Sequence, residues 1–244
     1  MIKLDARRSL ALAFVLLGCL TSRAFAQGGP PMITDDPGTP GDGNWEVNFA
    51  LTSEHNHDAT ESELPLIDIN YGVGDRIQLK YEVPYVVSHE RGEGTHSQLG
   101  SSLAGVKWRF FDAGEHGWQV STYPQVQFRK KYEGFLAPVE VMKEYENFSV
   151  NFEVGRFFDH TGEEDTWEGG AVVGHEISER VEVMGELHSE AAPHLRDSEL
   201  ILNTGTRITF SEHSVLLLAL GRELHNNLGG REGYQVYAGW QMLR

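Results

Sequence analysis

The chain has 244 residues, with 20 basic and 36 acidic side chains and a formal net charge of −16 at pH 7. This negative balance argues against a nucleic-acid-binding protein, because the phosphates would be repelled. The single cysteine, Cys19, cannot form an intramolecular disulfide. No segment after residue 26 has the uninterrupted apolar run that a transmembrane helix needs.

The N-terminus has the pattern of a secretory signal peptide, residues 1–26. Basic residues precede the short apolar run Leu10–Leu20, and Ala24-Phe25-Ala26 supplies small residues at the usual cleavage spacing. We therefore expect an exported protein that is cleaved after Ala26. The alternative is a lipoprotein signal in which Leu16-Leu17-Gly18-Cys19 is the lipidated box, and the well-formed downstream site favours the first interpretation.

Residues 27–42 are rich in Gly, Pro and Asp, so we expect an irregular N-terminal segment there. From residue 43 to residue 244, apolar and polar residues alternate repeatedly. In Arg76–Tyr85, apolar side chains such as Leu79 point one way and polar ones such as Lys80 point the other, because strand side chains alternate across a sheet.

This alternation predicts about twelve strands, an even number as in bacterial outer-membrane barrels. The predicted strands are, in chain order, 44–52, 64–73, 76–85, 103–110, 118–128, 136–143, 148–154, 167–177, 181–188, 200–210, 215–220 and 234–242. The fold class predicted is therefore all-β, an antiparallel transmembrane β-barrel with short periplasmic turns and longer extracellular loops.

Turn lengths provide a second criterion, because directly opposed residues must share a face. Short turns follow the even-numbered strands, and most connections after the odd-numbered strands are longer and polar. The expected pairs across three short turns are Val73 with Ile77, Ile177 with Val181, and Ile208 with Leu216. The expected loops are Ser53–Glu63, Ser88–Ser101, Ser189–Ser198 and Glu223–Gly233.

A soluble sandwich or lipocalin-like barrel would also alternate, but its apolar residues would lie inside. Aromatic residues at the strand ends favour the membrane barrel, where they would form interfacial girdles. These residues are Trp45, Tyr71, Tyr85, Trp118, Trp167, Tyr234 and Trp240.

Two stretches of sequence resemble a known family. The stretches are Pro30–Gly41, which reads PPMITDDPGTPG, and the part of 43–85 containing Gly43-Asn44-Trp45, Tyr71–Leu79 and Val83-Pro84-Tyr85. They resemble the outer-membrane transporter family named after the MetA pathway of phenol degradation. The resemblance implies a barrel in the outer membrane of a Gram-negative cell that assists uptake of small, including aromatic, compounds. The chain departs from many outer-membrane barrels by ending on Arg244 instead of an aromatic residue, which shifts the expected assembly signal to Trp240 and Met242.

The polar face would line a lumen where solutes could make contact. Its charged and amide residues are Glu46, Asp68, Arg76, Lys80, Glu82, Lys107, Arg109, Gln125, Glu140, Glu153, Glu168, Glu182, Glu186 and Arg207. One hypothesis is a transverse field that suits polar or zwitterionic solutes and disfavours bulky anions. The alternative is that these charges pair with one another across a narrow barrel.

Two short motifs could suggest a metal. His55 and His57 could present two imidazoles from a loop, and Asp35-Asp36 could suggest calcium. We interpret the first as a solvated external loop and the second as part of a Pro-Gly turn. We therefore expect neither a metal nor a cofactor.

An enzyme is not the expected function. His188-Ser189 has suitable residue types for a nucleophile and its base, but neighbours in a strand point to opposite faces and cannot easily pair. The function predicted is a passive outer-membrane channel for small organic solutes. The alternatives are a structural or adhesive barrel whose acidic loops bind cations and lipopolysaccharide, and an outer-membrane lipid-modifying enzyme. Expected partners are membrane lipid and lipopolysaccharide, small solutes and the barrel assembly machinery, with no nucleic acid.

Overall fold

A computed structural model describes residues 29–114, 116–228 and 233–244. The predicted signal peptide, its cleavage after Ala26 and the alternative lipidation of Cys19 lie outside the described residues. No helix among the described residues is long and apolar enough to cross a membrane.

The described residues form fourteen strand segments in one antiparallel sheet. Their bounds are β1 Trp45–His55, β2 Ala59–Val73, β3 Ile77–Glu90, β4 Gly94–Leu99, β5 Ser102–Asp112, β6 Trp118–Thr122, β7 Gln125–Phe128, β8 Tyr132–Glu144, β9 Phe148–Asp159, β10 Thr166–Ser178, β11 Val181–Ala191, β12 Ser198–Ser211, β13 Ser214–Asn226 and β14 Tyr234–Leu243. Segments β4 and β5 both pair with β3, and β6 and β7 both lie between β5 and β8. Each of these two pairs therefore forms one interrupted barrel strand, and the described segments make the predicted twelve-stranded barrel.

The barrel is closed by pairing of its first and last strands. β1 and β14 are antiparallel, with Leu51 opposite Ala238, and the pairing continues to the chain end, where Trp45 and Arg244 exchange backbone hydrogen bonds of 2.6 and 2.9 Å. Closure leaves neither β1 nor β14 with an unpaired edge that another chain could extend.

The outer face is apolar and the inner face is polar, as predicted. Exposed side chains include Phe49, Phe152 and Val154, whereas Asn48 and Asn151, which are neighbours of these residues in sequence, are almost fully buried. This arrangement contradicts the soluble-barrel alternative, whose apolar side chains would form the core. Most of the predicted girdle residues are also exposed, with Trp45, Trp118 and Trp240 at one end of the barrel and Tyr85, Trp167 and Tyr234 at the other.

The turn predictions are confirmed at two of the three sites. Val73 lies opposite Ile77 and Ile208 lies opposite Leu216. The predicted pairing of Ile177 with Val181 is wrong, because the register shifts after Glu176 and Ser178 lies opposite Val181. A bulge adds one residue to one strand, which an alternation pattern does not reveal.

We refer to the end with the short connections after β2, β10 and β12 as the turn end, and to the opposite end as the loop end. At the loop end the strands are longer than predicted. Much of the expected loops Ser53–Glu63 and Ser88–Ser101 is strand, including the whole of β4.

Closure yields a testable prediction. Cysteines introduced as Leu51→Cys and Ala238→Cys should form a disulfide across β1 and β14 upon oxidation, because directly opposed residues have Cβ atoms roughly 4.5–5.5 Å apart. The measurement is the loss of maleimide labelling in the folded protein.

The control pairs Leu51→Cys with Leu218→Cys, which lies on the other side of Ala238 in β13. The Leu51–Ala238 pair should cross-link in much higher yield than the Leu51–Leu218 pair. Equal, low yields would contradict a closed β1–β14 seam.

Candidate functional site

The N-terminal segment, residues 29–42, lies inside the barrel. Its sequence disfavours strand formation, since each proline lacks an N–H and Gly29 and Gly41 have φ of 70° and 81°. A tight loop forms instead, in which the Gly29 N–H donates to the Thr34 carbonyl at 3.0 Å and the Met32 N–H donates to the Gly29 carbonyl at 2.9 Å. The next backbone N–H groups of this segment are left for partners on the barrel wall.

Two inward-facing glutamates accept those N–H groups. The Glu186 carboxylate accepts from Ile33 at 3.1 Å and from Thr34 at 2.6 Å, and the Glu153 carboxylate accepts from the Asp35 N–H at 2.6 Å. These contacts place the segment against strands β9 and β11.

A buried lysine holds the segment from the other side. The Lys107 ammonium group is 2.7 Å from Asp35 Oδ1, and it also donates to the Asp36 carbonyl. It lies 4.7 Å from the centre of the fully buried Tyr123 ring, within the range of a cation–π contact. Glu140 adds a second carboxylate at 3.8 Å from the ammonium nitrogen.

The two aspartates of the segment have opposite pKa shifts. Burial acts to raise the pKa of the Asp35 carboxyl, but the ammonium groups of Lys107 and Lys80 lower it by more, so this pKa lies below its ordinary value. Burial raises the pKa of the Asp36 carboxyl. Asp35 is therefore the ionised partner of Lys107 at neutral pH.

Two further polar side chains bind backbone carbonyls of the segment. Arg207 donates to the Pro30 carbonyl at 2.7 and 3.2 Å. Asn151 donates to the Asp35 carbonyl at 2.5 Å. Both carbonyls, like the N–H groups above, thereby gain partners that a buried backbone requires.

One small apolar cluster completes the docking. Met32 is buried against Val172 and Met184, with Ala219 packed beside them. Space for the segment depends on glycine, because a Cβ at Gly170 would lie 1.8 Å from Thr34 Oγ1.

The docked segment divides the lumen into two chambers. The loop-side chamber has a volume of about 430 Å³ and the turn-side chamber about 560 Å³. Between them lies a polar gap of about 30 Å³, lined by the segment, by Lys80 and Lys107, and by Asp68. That gap has room for about one water molecule. We refer to residues 29–42 as the plug.

The structure places nearly all of the predicted lumen residues on inward-facing positions. These are Glu46, Asp68, Lys80, Glu82, Lys107, Arg109, Gln125, Glu140, Glu153, Glu168, Glu182, Glu186 and Arg207. Arg76 is different, because it lies exposed in the turn between β2 and β3 and not on a strand.

At and near the level of the plug, the charges in the lumen are largely paired. Lys80 lies 3.1 Å from Glu82 and 3.7 Å from Asp68, as the predicted register of β2 and β3 suggested, and Arg207 lies 3.9 Å from Glu182. Glu153, Glu186 and Lys107 bind the plug. At this level of the barrel, mutual pairing therefore describes the charges better than an open transverse field.

Sequence reasoning missed the residues that the plug contributes. Asp35, Thr34 and Met32 all contact the barrel wall, yet the sequence suggested only a turn for Asp35-Asp36. Inward-facing Tyr123 was missed too, because it belongs to the break between β6 and β7. The only signal in the sequence was the high density of Pro, Gly and Asp in residues 30–41, which does not indicate where the segment docks.

The other motifs do not assemble into a site. His57 contacts Asp58 at 2.7 Å in the exposed connection after β1. The described residues contain no group of three or more His, Cys, Asp or Glu that could hold a metal ion. Ser189 donates to the Glu199 carbonyl at 2.6 Å, while His188 Nδ1 lies 3.5 Å from Thr34 Oγ1, so the two neighbours have different partners.

Comparisons with known proteins support the fold. No family model matches the chain, and no curated protein matches it; the family resemblance therefore stays a prediction. Among solved structures, the chain is similar to an outer-membrane channel from Pseudomonas putida F1, with a TM-score of 0.69, 10% identity and coverage of 87% of this chain and 100% of that one. It is also similar to the KdgM porin, with a TM-score of 0.61, 7% identity and coverage of 81% and 98%, and to the NanC porin, with a TM-score of 0.60, 7% identity and coverage of 80% and 98%.

Loss of the buried ammonium group should loosen the plug. In Lys107→Met, the Asp35 carboxyl loses its ammonium partner in a site where its side chain is only 23% exposed, and removing one partner of a buried pair costs roughly 3–5 kcal/mol. Because Asp35 is not fully buried, we expect the effect to be at the lower end of that range. Hydrogen exchange at the Ile33, Thr34 and Asp35 amides should then accelerate by about a hundredfold.

The matched control is Lys143→Met. Its ammonium lies over the rings of Trp118 and Tyr145, at 5.4 and 5.0 Å, away from the plug. Plug amides that exchange equally fast in both variants would contradict the role given to Lys107.

Proposed function

We propose that the protein resides in the outer membrane of a Gram-negative cell, after export and cleavage following Ala26. The apolar outer face and the aromatic residues at both ends support this location, since a closed barrel with such a belt suits a bilayer. Trp240 and Met242, exposed near the end of β14 at 42% and 43%, are the proposed signal for the assembly machinery.

A charge on the outer belt tests the location. Val154 is 56% exposed in the middle of β9, so Val154→Arg should destabilise the barrel in phospholipid vesicles by roughly 2–4 kcal/mol if this position lies near the bilayer centre. The measurement is unfolding in urea, in which the folded fraction is determined from the difference in gel mobility between unheated and boiled samples.

Val154→Leu serves as the control and should unfold like the parent protein. An arginine variant as stable as the leucine variant would show that Val154 does not face hydrocarbon.

We further propose that the barrel is a passive channel for small organic solutes, and the family resemblance adds aromatic solutes to that class. The observation that carries this proposal is the polar lumen, with a chamber on each side of a segment that is bound by side chains and not built into the sheet. Solutes would diffuse down their gradient, and a solute larger than water would pass only when the plug shifts from its docked position.

Displacement of the plug tests the channel. A valine at position 170 would collide with Thr34, since even a Cβ there lies 1.8 Å from its hydroxyl oxygen. Gly170→Val should therefore raise the rate at which arabinose swells protein-containing liposomes several-fold over the parent protein. Gly185→Val is the control, because a Cβ at Gly185 meets nothing within 4 Å.

If neither the parent protein nor Gly170→Val admits arabinose while a general porin does, the channel proposal fails. A structural or adhesive barrel would then be the better description.

A further inference from the structure

The loop-side chamber contains an apolar floor. Pro31, Met32 and Ile33 of the plug line it, and Ile33 remains 42% exposed although it lies inside the barrel. Leu66 and Ile201 add apolar side chains from the wall. At about 430 Å³ the chamber falls in the size range of small-molecule sites, which are mostly apolar with a few polar groups.

Carboxylates dominate the wall above this floor. Glu54 lies opposite Glu61 across β1 and β2, and Glu190 lies opposite Glu199 across β11 and β12. Glu63, also in this wall, accepts a hydrogen bond from Thr52 at 2.9 Å. None of these five glutamates forms an ion pair with a basic side chain among residues 29–114, 116–228 and 233–244.

The basic groups near the chamber are already engaged. Lys80 contacts Asp68 and Glu82, the latter also in the wall, and His188 lies 3.5 Å from the Thr34 hydroxyl. At the level of the plug, by contrast, Lys107 lies beside Asp35 and Glu140, and Arg207 lies beside Glu182. The described part of the chamber therefore has more carboxyl groups than basic side chains.

An aromatic ring completes the wall. Tyr237 faces the chamber from β14. Aromatic faces beside carboxylates are the groups that recognise organic ammonium ions, because the ring quadrupole attracts a cation.

We propose that the loop-side chamber binds small organic cations, with an apolar body on the plug floor and one ammonium group among the glutamates and Tyr237. An apolar floor offers nothing to a bare metal ion, and the described residues provide no cluster of metal ligands. This proposal deepens the channel proposal by naming its solute class, and it places part of the selectivity on the plug itself.

Three solutes of one shape and different charge test it. Benzylamine is cationic at pH 7, benzyl alcohol is neutral and benzoate is anionic. In equilibrium dialysis against the full-length mature barrel in detergent, with protein-free micelles as the blank, benzylamine should bind at least about fivefold more tightly than benzyl alcohol, and benzoate should not bind measurably. Equal binding of all three, or no binding of benzylamine, would overturn the proposal.

Variants locate the binding site. Glu190→Gln with Glu199→Gln should weaken benzylamine binding by about tenfold, because two of the carboxylates that attract the ammonium group are removed. The control, Glu163→Gln with Glu164→Gln, alters two exposed residues after β9 and should bind as the parent does. Tyr237→Leu should weaken binding several-fold, whereas Tyr237→Phe, which keeps the ring, should not. Weakening that is equal in the chamber and control variants would overturn the assignment to this chamber.

Swelling assays separate this inference from the channel proposal. Binding of benzylamine without passage of any solute would refute the channel and leave the site intact. Passage of benzoate as fast as benzylamine, with no selective binding, would leave the channel and refute the site.

Discussion

Pairing of each of the twelve barrel strands with two neighbours is the constraint on which the rest of this structure depends. Once β1 pairs with β14, the backbone polar groups of the sheet are satisfied around a ring, as an apolar surrounding requires. Because a closed sheet has an inside and an outside, each strand has one face towards the lumen and one face towards the surroundings of the barrel. Phe152 and Val154 then face outward, and Asn151 and Glu153 face inward.

A polar inner face creates a second requirement, because buried carboxylates and ammonium groups need partners. Neighbouring strands supply some of them, as between Lys80, Asp68 and Glu82. The N-terminal segment supplies others. It offers backbone N–H groups to Glu153 and Glu186 and the Asp35 carboxylate to Lys107. The twelve strands enclose the lumen without filling it, and the plug fills part of that space and provides partners for the polar side chains of the inner face.

The distribution of charge along the barrel follows from this docking. Lys107 and Arg207 are used at the level of the plug, where they bind Asp35, Asp36 and Pro30. Glu54, Glu61, Glu190 and Glu199 lie above it, towards the loop end, and the plug contributes an apolar floor below them. A segment that closes the lumen therefore also determines which chemical groups an arriving solute would meet.

The alternation of residues along the chain was sufficient to predict twelve strands, the orientation of their faces and the register of Val73 with Ile77, because strand geometry has a period of two residues and the turn sets the offset. The inward positions of Asp68, Lys107, Glu153 and Glu186 followed from the same pattern. Only the tertiary structure decided that 29–42 lies inside the barrel and that Lys107 binds Asp35 of that segment, because those contacts join residues more than seventy positions apart. The register shift near Ile177 and the presence of strand β4 were also revealed only by the tertiary structure. Both depend on pairing with a neighbouring strand and not on the alternation within the strand itself.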